Sequence, residues 1–325
     1  MRYVEVGGAK VSAIGLGCWQ FGSREWGYGD SYAQTTAGDL VRRALDLGIN
    51  LIDTAEIYGF GRSERIVGEA LGDRRDEAFI ATKVFPVVPL APVVEDRAKR
   101  SARRLGVSLI DLYQVHWPNP VVPLSATMDG MRRVQDTGLV THAGVSNFSL
   151  QRWQRAEREL GGPVLSNQVR FSLADRRPER DLVPWAASEG RIVIAYSPLA
   201  QGLLGGRYDR DHLPSGMRAN TPAFLPDNLE RAQPLIHTLR EIAQTHSATP
   251  AQIALGWVIR RPNTVAIPGA STVEQLERNA AAADIELTDE EDGRLSAAAG
   301  AYDPVRGLEA VRTIASRRLS SLLRR

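Results

Sequence analysis

The stretch AIGLGCWQFGSREWGYGD, residues 13–30, decides which fold can be assigned to the rest of the chain. It begins with an apolar run, AIGLGCW (13–19), of the length expected for a buried strand. In a doubly wound nucleotide-binding sheet, the motif Gly-x-Gly-x-x-Gly comes directly after the first strand. Here the run leads into the Trp-rich loop CWQFGSREWGYGD (18–30), so the first turn argues against that fold.

Outward from this run, the chain alternates short apolar runs with stretches of helical periodicity. Strands that alternate with helices indicate βαβ units and a parallel sheet. Eight such units fit a (β/α)8 barrel, which typically has about 250 residues, better than an open sheet. We therefore predict an α/β fold, a TIM barrel that forms a single domain over residues 1–325. The eight predicted strands are AIGLGCW (13–19), NLIDTAE (50–56), AFIATK (78–83), LIDLYQVH (109–116), VTHAGVS (140–146), GPVLSNQ (162–168), RIVIAYS (191–197) and NTVAIPG (263–269).

Two segments stand outside the eight repeats. Residues 198–227, after the seventh predicted strand, are rich in Gly and Pro and too long for an ordinary connection, which predicts a functional loop. Residues 291–325 form a C-terminal extension that ends in AVRTIASRRLSSLLRR (310–325). Its apolar positions fall on one helical stripe, which predicts a helical tail that either packs on the barrel or contacts a partner or an anionic surface. The stripe comprises Ala315, Leu319, Leu322 and Leu323.

Charge and cysteine content narrow the functional classes. The 325 residues include 40 basic and 38 acidic side chains, a net charge of +2, so no global attraction to nucleic acid or anionic membrane is expected. No apolar run approaches the roughly 20 residues of a membrane span. The single cysteine, Cys18, excludes an intrachain disulfide and fits a reducing compartment, so we expect a cytoplasmic protein. The sequence does not indicate an oligomeric state.

Polar residues cluster at the ends of the predicted strands. Strand two ends in Asp53, strand three in Lys83 and strand four in His116. Each alone has an ordinary interpretation, as a turn former, a surface lysine or a core histidine. In a barrel, however, these strand ends are neighbours at the mouth where catalytic residues are found, and a buried Lys and Asp must pair. We therefore predict an active site there. The next three strands end in Ser146, Asn147, Gln168 and Tyr196.

Tyr58 follows Asp53 on the loop above the same mouth. The ordinary pKa of a tyrosine is about 10, and a nearby ammonium such as that of Lys83 is expected to lower it. Asp53 would keep Lys83 charged, and His116 can donate a hydrogen bond to a substrate oxygen. The set provides a proton for an oxygen that becomes negative, as carbonyl reduction requires. Because no side chain carries a hydride, the hypothesis requires a cofactor, for which Tyr196 and the neighbouring amides offer a stacking face and polar groups.

Other site chemistries have weaker support in the sequence. A barrel glycosidase needs two carboxylates about 5–10 Å apart, and only Asp53 and Glu56 qualify at the mouth. The five histidines show neither HxH nor HExxH spacing, and no CxxC occurs, so no metal site is predicted.

Four segments resemble those of a known family. The segment DTAEIYGFGRSERIVGEAL (53–71) is similar to the most specific signature of the aldo-keto reductases. Three later segments are similar to that family's cofactor-binding segments, in the same order, and the resemblance covers roughly residues 1–290. It implies an NADPH-dependent reductase with a (β/α)8 barrel and a small-molecule carbonyl substrate. The three later segments are GVSNF (144–148), AYSPLAQGLL (195–204) and IPGASTVEQLERN (267–279).

The resemblance also implies roles for single residues. Tyr58 would be the general acid for reduction and the base for oxidation, with Asp53, Lys83 and His116 as its catalytic partners. The implied cofactor contacts are Ser146, Asn147, Gln168 and Tyr196 for the nicotinamide, Ser197, Leu199, Gly202 and Leu204 for the pyrophosphate, and Gly269, Ser271, Gln275 and Asn279 for the adenosine.

Two departures from the family pattern concern the choice of cofactor. Ser271 stands where many relatives carry a basic residue that holds the 2′-phosphate of NADP, and Arg278 stands where a glutamate is common. Arg278 either replaces the missing charge or covers a helix surface. NADP is the expected cofactor, with NAD as the alternative.

Aromatic residues on loops after strands one, three and four predict an apolar substrate pocket. Since no arginine falls at a predicted strand end to anchor a carboxylate, we expect an aldehyde or ketone with apolar or aromatic bulk. The predicted function is hydride transfer between NADP(H) and such a compound, and the alternative is an NADP-binding regulatory or redox-sensing module with little turnover. The predicted pocket residues are Trp19, Trp26, Phe85 and Trp117.

Overall fold

The computed structural model describes residues 1–22, 35–310 and 312–314. Strands and helices alternate along these ranges, as the sequence predicts. The strands are β1 (Tyr3–Val6), β2 (Ala9–Ser12), β3 (Leu16–Gly17), β4 (Leu51–Asp53), β5 (Phe79–Val84), β6 (Ile110–Val115), β7 (Val140–Ser146), β8 (Ser166–Arg170), β9 (Ile192–Tyr196) and β10 (Thr264–Ile267). The helices are α1 (Ala37–Asp46), α2 (Arg62–Leu71), α3 (Ala91–Leu105), α4 (Leu124–Asp136), α5 (Leu150–Leu160), α6 (Leu182–Ser188), α7 (Pro226–Thr245), α8 (Pro250–Ile259), α9 (Val273–Ala281) and α10 (Asp289–Ala301).

Strands β3 to β10 form one parallel sheet in which each strand pairs with the next along the chain. Ile14, just before β3, pairs with Ala266 of β10 in a parallel bridge. The backbone N–H of Gly15 also donates to the carbonyl oxygen of Ala266 at 2.8 Å. These contacts join the two edges of the sheet, so the predicted (β/α)8 barrel is confirmed.

Glycines let the short strand β3 approach its neighbours closely. A Cβ atom at Gly17 would lie 2.8 Å from the carbonyl oxygen of Ile267, and one at Gly15 would lie 2.8 Å from the side chain of Leu51. Neither position leaves room for a side chain, so the first predicted strand can close the barrel only with glycine there.

Alternate residues of the strands pack on opposite faces of the sheet and form two cores. One core lies between the sheet and the surrounding helices. The other fills the barrel, and the hairpin β1–β2 contributes Ala9 and Val11 to it, so the hairpin closes the N-terminal end of the barrel. The remaining interior residues are Leu51, Phe79, Ala81, Leu112, Leu165, Ile192, Ile194, Val265 and Ile267.

The two predicted additions to the barrel differ in how much of them the structure describes. The long loop after β9 contains three short 3-10 turns and ends where α7 begins at Pro226. In the C-terminal extension, α10 packs against α7. The apolar stripe from Ala315 to Leu323 lies outside the described residues, so both interpretations of it stay predictions. No helix in the described part of the chain has the length and apolar character needed to cross a membrane.

Candidate active site

Strand alternation directs the predicted catalytic side chains into the barrel, because residues two apart face the same side. Leu51 packs in the barrel interior, so Asp53, two residues on, points inward as well. Phe79 and Ala81 of β5 establish the same direction for Lys83. Both side chains lie at the C-terminal end of the barrel, and the Lys83 side chain has no exposed surface.

Lys83 is the centre of the predicted catalytic group. Its Nζ lies 2.7 Å from Asp53 Oδ1, 2.8 Å from the carbonyl oxygen of Thr54 and 3.3 Å from Tyr58 Oη. The second carboxylate oxygen of Asp53 accepts a hydrogen bond from Gln168 Nε2 at 2.7 Å. The buried charges are therefore paired, as burial requires. Although burial disfavours the ammonium, the carboxylate of Asp53 and the hydroxyl of Tyr58 raise the pKa of Lys83, so the lysine is charged.

Burial decides the direction in which the pKa of Tyr58 moves. Loss of solvent raises the pKa of this phenol, Lys83 lowers it, and the negative charge of Asp53 raises it again. Lys83 therefore lowers the pKa of Tyr58 as predicted, but burial outweighs this effect, and the net pKa lies above the ordinary value of 10.0. The sequence identifies Lys83 as a neighbour of Tyr58, but it does not show how deeply the Tyr58 side chain is buried. Tyr58 therefore holds its proton at neutral pH and is a potential donor.

His116 lines the same mouth and is neutral. Its ring stacks on Trp117, with centroids 3.7 Å apart, and meets the ring of Tyr58 edge-on at 5.8 Å. Burial, together with the positive charge of Lys83, lowers the pKa of His116 from 6.5 to about 2. Its Nδ1 atom is buried without a hydrogen-bond partner among the described residues. A proton at Nδ1 would be buried and unpaired, so we assign the proton to Nε2.

We expect His116 to remain neutral between pH 5 and 8, because its pKa in the folded protein is about 2. The unfolded chain takes up a proton at this residue as the pH falls below about 6.5, whereas the folded chain does not. His116 therefore makes the folded protein less stable as the pH falls below that value. Imidazole nitrogen NMR, with His116→Gln to identify the resonance, should show no titration over this range and a proton on Nε2. A resonance that titrates near pH 6.5 would contradict the assignment.

Polar groups from β7, β8 and β9 form a second cluster beside Asp53. Ser146 Oγ donates to the carbonyl oxygen of Gln168 at 2.8 Å. Tyr196 Oη donates to Asn147 Oδ1 at 3.0 Å, and Asn147 adopts a left-handed backbone conformation with φ of +61°. Because Gln168 also contacts Asp53, the amide cluster is connected to the lysine.

The second carboxylate that a hydrolase would need lies elsewhere. Glu56 Oε1 accepts hydrogen bonds from the backbone N–H of Phe85 at 2.6 Å and from Arg97 Nη1 at 2.9 Å. It does not line the mouth, whereas Asp53 does and is paired with Lys83. The geometry therefore gives no support to a two-carboxylate mechanism.

Most predicted site residues line one cleft of about 770 Å³ at the C-terminal end of the barrel. Lys83 lies beneath its floor, and the side chain of Leu204 is buried in the outer core instead of facing the cleft. Phe85 packs edge-on against Trp117 at 5.8 Å without lining the cleft, and Trp26 lies outside the described residues. The predicted residues that do line the cleft are Trp19, Asp53, Tyr58, His116, Trp117, Ser146, Asn147, Gln168, Tyr196, Ser197, Leu199, Gly202, Gly269, Ser271, Gln275 and Asn279.

Among the described residues, four arginines also line the cleft, and three of them do not appear in the sequence analysis. Arg170 is the last residue of β8, so the expectation that no arginine falls at a strand end is wrong. The apolar run ends at Gln168, but strand pairing continues for two residues and matches Arg170 with Tyr196. Because Arg170 lies two residues after Gln168, the period of two was the signal that could have revealed it. The other three arginines are Arg207, Arg218 and Arg278.

The turn after β9 presents backbone groups to the cleft. Leu199 has φ of −99° and ψ of 12°, and the next residue, Ala200, is left-handed with φ of +48°. Such a change of hand is typical of concave turns that bind anions, and here the N–H of Ala200 itself donates to the carbonyl oxygen of Ser197 at 2.9 Å. Arg218 Nε donates to the carbonyl oxygen of Gln201 at 3.0 Å. This bond connects the turn to a later part of the same long loop. Among the described residues, no group of three His, Cys, Asp or Glu is arranged to hold a metal ion.

Known proteins share this sequence pattern and fold. A sequence model of the aldo/keto reductase family matches residues 13–299. The uncharacterized oxidoreductase Rv2298 of Mycobacterium tuberculosis is 59% identical over 306 residues, which are 94% of this chain and 95% of that protein. The glycerol dehydrogenase AKR11B4 from Gluconobacter oxydans has a TM-score of 0.85 at 29% identity, covering 94% and 97% of the two chains. An aldo-keto reductase from Klebsiella pneumoniae in complex with NADPH has a TM-score of 0.74 at 32% identity, covering 94% and 96%.

Proposed function

Because the chain belongs to the aldo/keto reductase family, we propose that it interconverts an aldehyde or ketone and the corresponding alcohol with NADP(H) as the cofactor. Tyr58 is the proton donor for reduction and the acceptor for oxidation. The observation that carries the proposal is the placement of Tyr58 Oη 3.3 Å from the ammonium of Lys83 at the floor of the cleft. Its volume of about 770 Å³ falls within the range of cofactor sites.

The side chains provide the proton step of a reduction. When bound, NADPH supplies the hydride that adds to the carbonyl carbon. Tyr58, which is protonated at neutral pH and whose pKa burial raises further, donates its proton to the carbonyl oxygen as that oxygen gains negative charge. The ammonium of Lys83 stabilises the phenolate that remains. Asp53, at 2.7 Å, keeps Lys83 charged and in place.

His116 orients the carbonyl group in this proposal. It is neutral and carries its proton on Nε2, so it has one N–H to donate towards an oxygen in the cleft that it lines. An imidazolium would compete with Tyr58 as the proton donor, and its charge would be costly next to Lys83. Burial beside Lys83 therefore makes His116 a hydrogen-bond donor that does not release its proton.

The polar groups of the cleft fit NADP(H) from end to end. Ser146, Asn147 and Gln168 offer groups for the nicotinamide amide, and Tyr196 offers its ring as a stacking face. The concave turn at Leu199 suits a pyrophosphate. The described lining is positively charged, which favours an anionic cofactor. It includes four arginines and one carboxylate, that of Asp53, which Lys83 neutralises.

Arg278 is expected to favour NADPH over NADH. It lines the cleft on α9, as does Ser271 before that helix, whose N–H donates to Gln275 Oε1 at 2.8 Å. An arginine–phosphate contact is worth about 1.5–3 kcal/mol, so Arg278→Glu should weaken NADPH binding about tenfold or more and NADH binding less. Fluorescence titration measures both dissociation constants. Arg100→Glu, the same exchange on an exposed residue of α3 that pairs with Asp96 and does not line the cleft, is the control. An equal loss for both cofactors would contradict the expectation.

Binding and turnover measurements test the proposed function. The purified protein should bind NADPH in a fluorescence titration and then consume many equivalents of it with a reactive aldehyde such as 4-nitrobenzaldehyde. Tight binding with consumption of no more than one equivalent would favour the alternative, a regulatory or redox-sensing module. Failure to bind either NADPH or NADH would rule out the proposed cofactor.

The proposed substrate is a small carbonyl compound. Trp19 and Trp117 line the cleft and support a substrate with apolar or aromatic bulk. The argument against an acidic substrate no longer holds, because Arg170 lies in the cleft wall. A panel of neutral and acidic aldehydes would separate the two classes. A cytoplasmic location remains a prediction from the sequence.

A further inference from the structure

Two carboxylates of the segment after β4, Glu56 and Glu64, take no part in the proposed proton transfer. Glu56 Oε1 accepts from the backbone N–H of Phe85 at 2.6 Å and from Arg97 Nη1 at 2.9 Å. Arg97 Nη1 also donates to the carbonyl oxygen of Phe85 at 2.6 Å. Glu56 and Arg97 thus bind both the backbone N–H and the C=O of Phe85, which lies two residues after Lys83. The Glu56 side chain is only 13% exposed.

Glu64 makes an equivalent connection at the other end of the segment. Its buried carboxylate accepts from Thr82 Oγ1 at 2.6 Å and from Arg104 Nε at 2.5 Å. Thr82 directly precedes Lys83, and Arg104 lies on α3 two helical turns after Arg97, on the same helix face. Through Glu56 and Glu64, helix α3 therefore connects the segment to Phe85 and Thr82, which lie on either side of Lys83 in the chain.

We propose that Glu56 and Arg97 are positioning residues that set the separation of Tyr58 Oη and Lys83 Nζ, a role that rests on the proposed function. Lys83 is held on β5 by Asp53 and by the chain, whereas Tyr58 sits on a loop two residues after Glu56. The position of the tyrosine hydroxyl relative to the ammonium therefore depends on where the loop meets β5.

The separation is sensitive to small displacements. At 3.3 Å, the contact of Tyr58 Oη with Lys83 Nζ is already long for a hydrogen bond, so a shift of a few tenths of an ångström breaks it. Glu56 restrains the loop at two points, through its side chain to Phe85 and through its backbone N–H, which donates to the carbonyl oxygen of Lys83 at 3.4 Å. Removal of the side chain leaves only the longer of these bonds.

The pH dependence of the reaction reports this separation. In the part of the chain that the structure describes, the titratable groups that face Tyr58 are Asp53 on β4, Lys83 on β5, His116 after β6 and Cys18 after β3. Among the charges of the described residues that interact with Tyr58, Lys83 alone lowers its pKa. If Lys83 and Tyr58 move apart while Tyr58 stays buried, the pKa of Tyr58 rises further above its ordinary value. Alcohol oxidation, which needs the phenolate, then requires a higher pH.

Glu56→Ala, with Glu56→Gln and a matched control, tests the inference. Glutamine keeps an oxygen that accepts from the Phe85 N–H and should restore much of the lost activity. The control is Glu157→Ala, because Glu157 Oε1 also accepts from a backbone N–H, that of Val164 at 3.0 Å, and from Arg191 Nε at 2.5 Å. Glu157 is 20% exposed and lies near the opposite end of the barrel, before β8.

We expect Glu56→Ala to lower kcat at least about tenfold, since misplacement by 1 Å can cost about 100-fold. The dissociation constant of NADPH should stay within about twofold, and the pH profile of alcohol oxidation should move to higher pH. Glu157→Ala should lower the melting temperature about as much as Glu56→Ala does. It should leave kcat and the pH profile unchanged.

Two results would overturn the inference. One is a Glu56→Ala variant with the kcat and pH profile of the wild type. The other is a lower kcat with an unmoved pH profile, because a general loosening of the fold produces that result. If the wild type itself shows no turnover, the proposed function has failed instead. The inference is then judged by ultraviolet titration of the Tyr58 phenol, with Tyr58→Phe as the blank, which should show a higher pKa in Glu56→Ala than in the wild type.

Discussion

Replacement of Tyr58 by Phe is expected to lower the turnover of a reactive aldehyde by about 10²–10⁴-fold, the range that a positioned general acid contributes. The exchange removes only the hydroxyl that would donate the proton. Lys83 keeps its contacts with Asp53 at 2.7 Å and with the carbonyl oxygen of Thr54 at 2.8 Å, so no buried charge loses its partner. Steady-state kinetics should therefore show the loss, while NADPH titration and denaturant unfolding stay close to the wild type.

A second buried tyrosine offers a matched control for this exchange. Tyr113 is fully buried on β6, and its hydroxyl has no hydrogen-bond partner among the described residues. Tyr113→Phe removes the same atom from a buried position outside the cleft, near the charges of Glu56 and Arg97. Because this hydroxyl makes no hydrogen bond with the described residues, activity should be unchanged and the free energy of unfolding equal or greater. Normal turnover in Tyr58→Phe, or an equal loss in Tyr113→Phe, would refute Tyr58 as the proton donor.

Replacement of Lys83 by Met should lower both turnover and stability. Lys83 and Asp53 are buried together, with side chains that are 0% and 3% exposed. Removal of one partner leaves the other as an uncompensated buried charge, which costs about 3–5 kcal/mol of the free energy of unfolding. Turnover should fall because the phenolate of Tyr58 loses the ammonium that stabilises it. Denaturant unfolding and steady-state kinetics measure the two effects separately.

A double variant separates the effect on stability from the effect on catalysis. Asp53→Asn combined with Lys83→Met removes both buried charges and should recover most of the lost stability without recovering turnover. Lys10→Met is the control, because Lys10 pairs with Glu5 at 2.9 Å on the surface and should contribute little to stability. A Lys83→Met variant as stable as the wild type would show that the buried pair does not hold the site together.

Local sequence was sufficient to predict the centre of the site. Asp53, Lys83 and His116 each end an apolar run, and the alternation of strand residues brings them to one mouth once the runs form a parallel barrel. Their mutual distances follow from the pairing of adjacent strands. For this reason the hydrogen bond between Lys83 and Asp53 could be predicted from residues that lie 30 positions apart.

The sequence by itself did not show how far a strand extends or in which direction a side chain points. Arg170 was missed because β8 continues beyond the end of its apolar run. The sequence also did not show that the side chain of Leu204 is buried in the outer core, and its predicted contact with the cofactor stays a prediction. In both cases the packing of neighbouring elements, and not the local residue pattern, determines the position of the side chain.

By itself, the sequence determined the order of the strands and the identity of the polar side chains that meet at the barrel mouth, because both follow from local alternation. Only the tertiary structure decided that the pKa of Tyr58 is raised and that His116 is neutral, since burial is a property of the whole barrel. It also decided that Glu56 pairs with Arg97, 41 residues away. Such a contact depends on where α3 packs against the loop, and helix packing is set by the entire core.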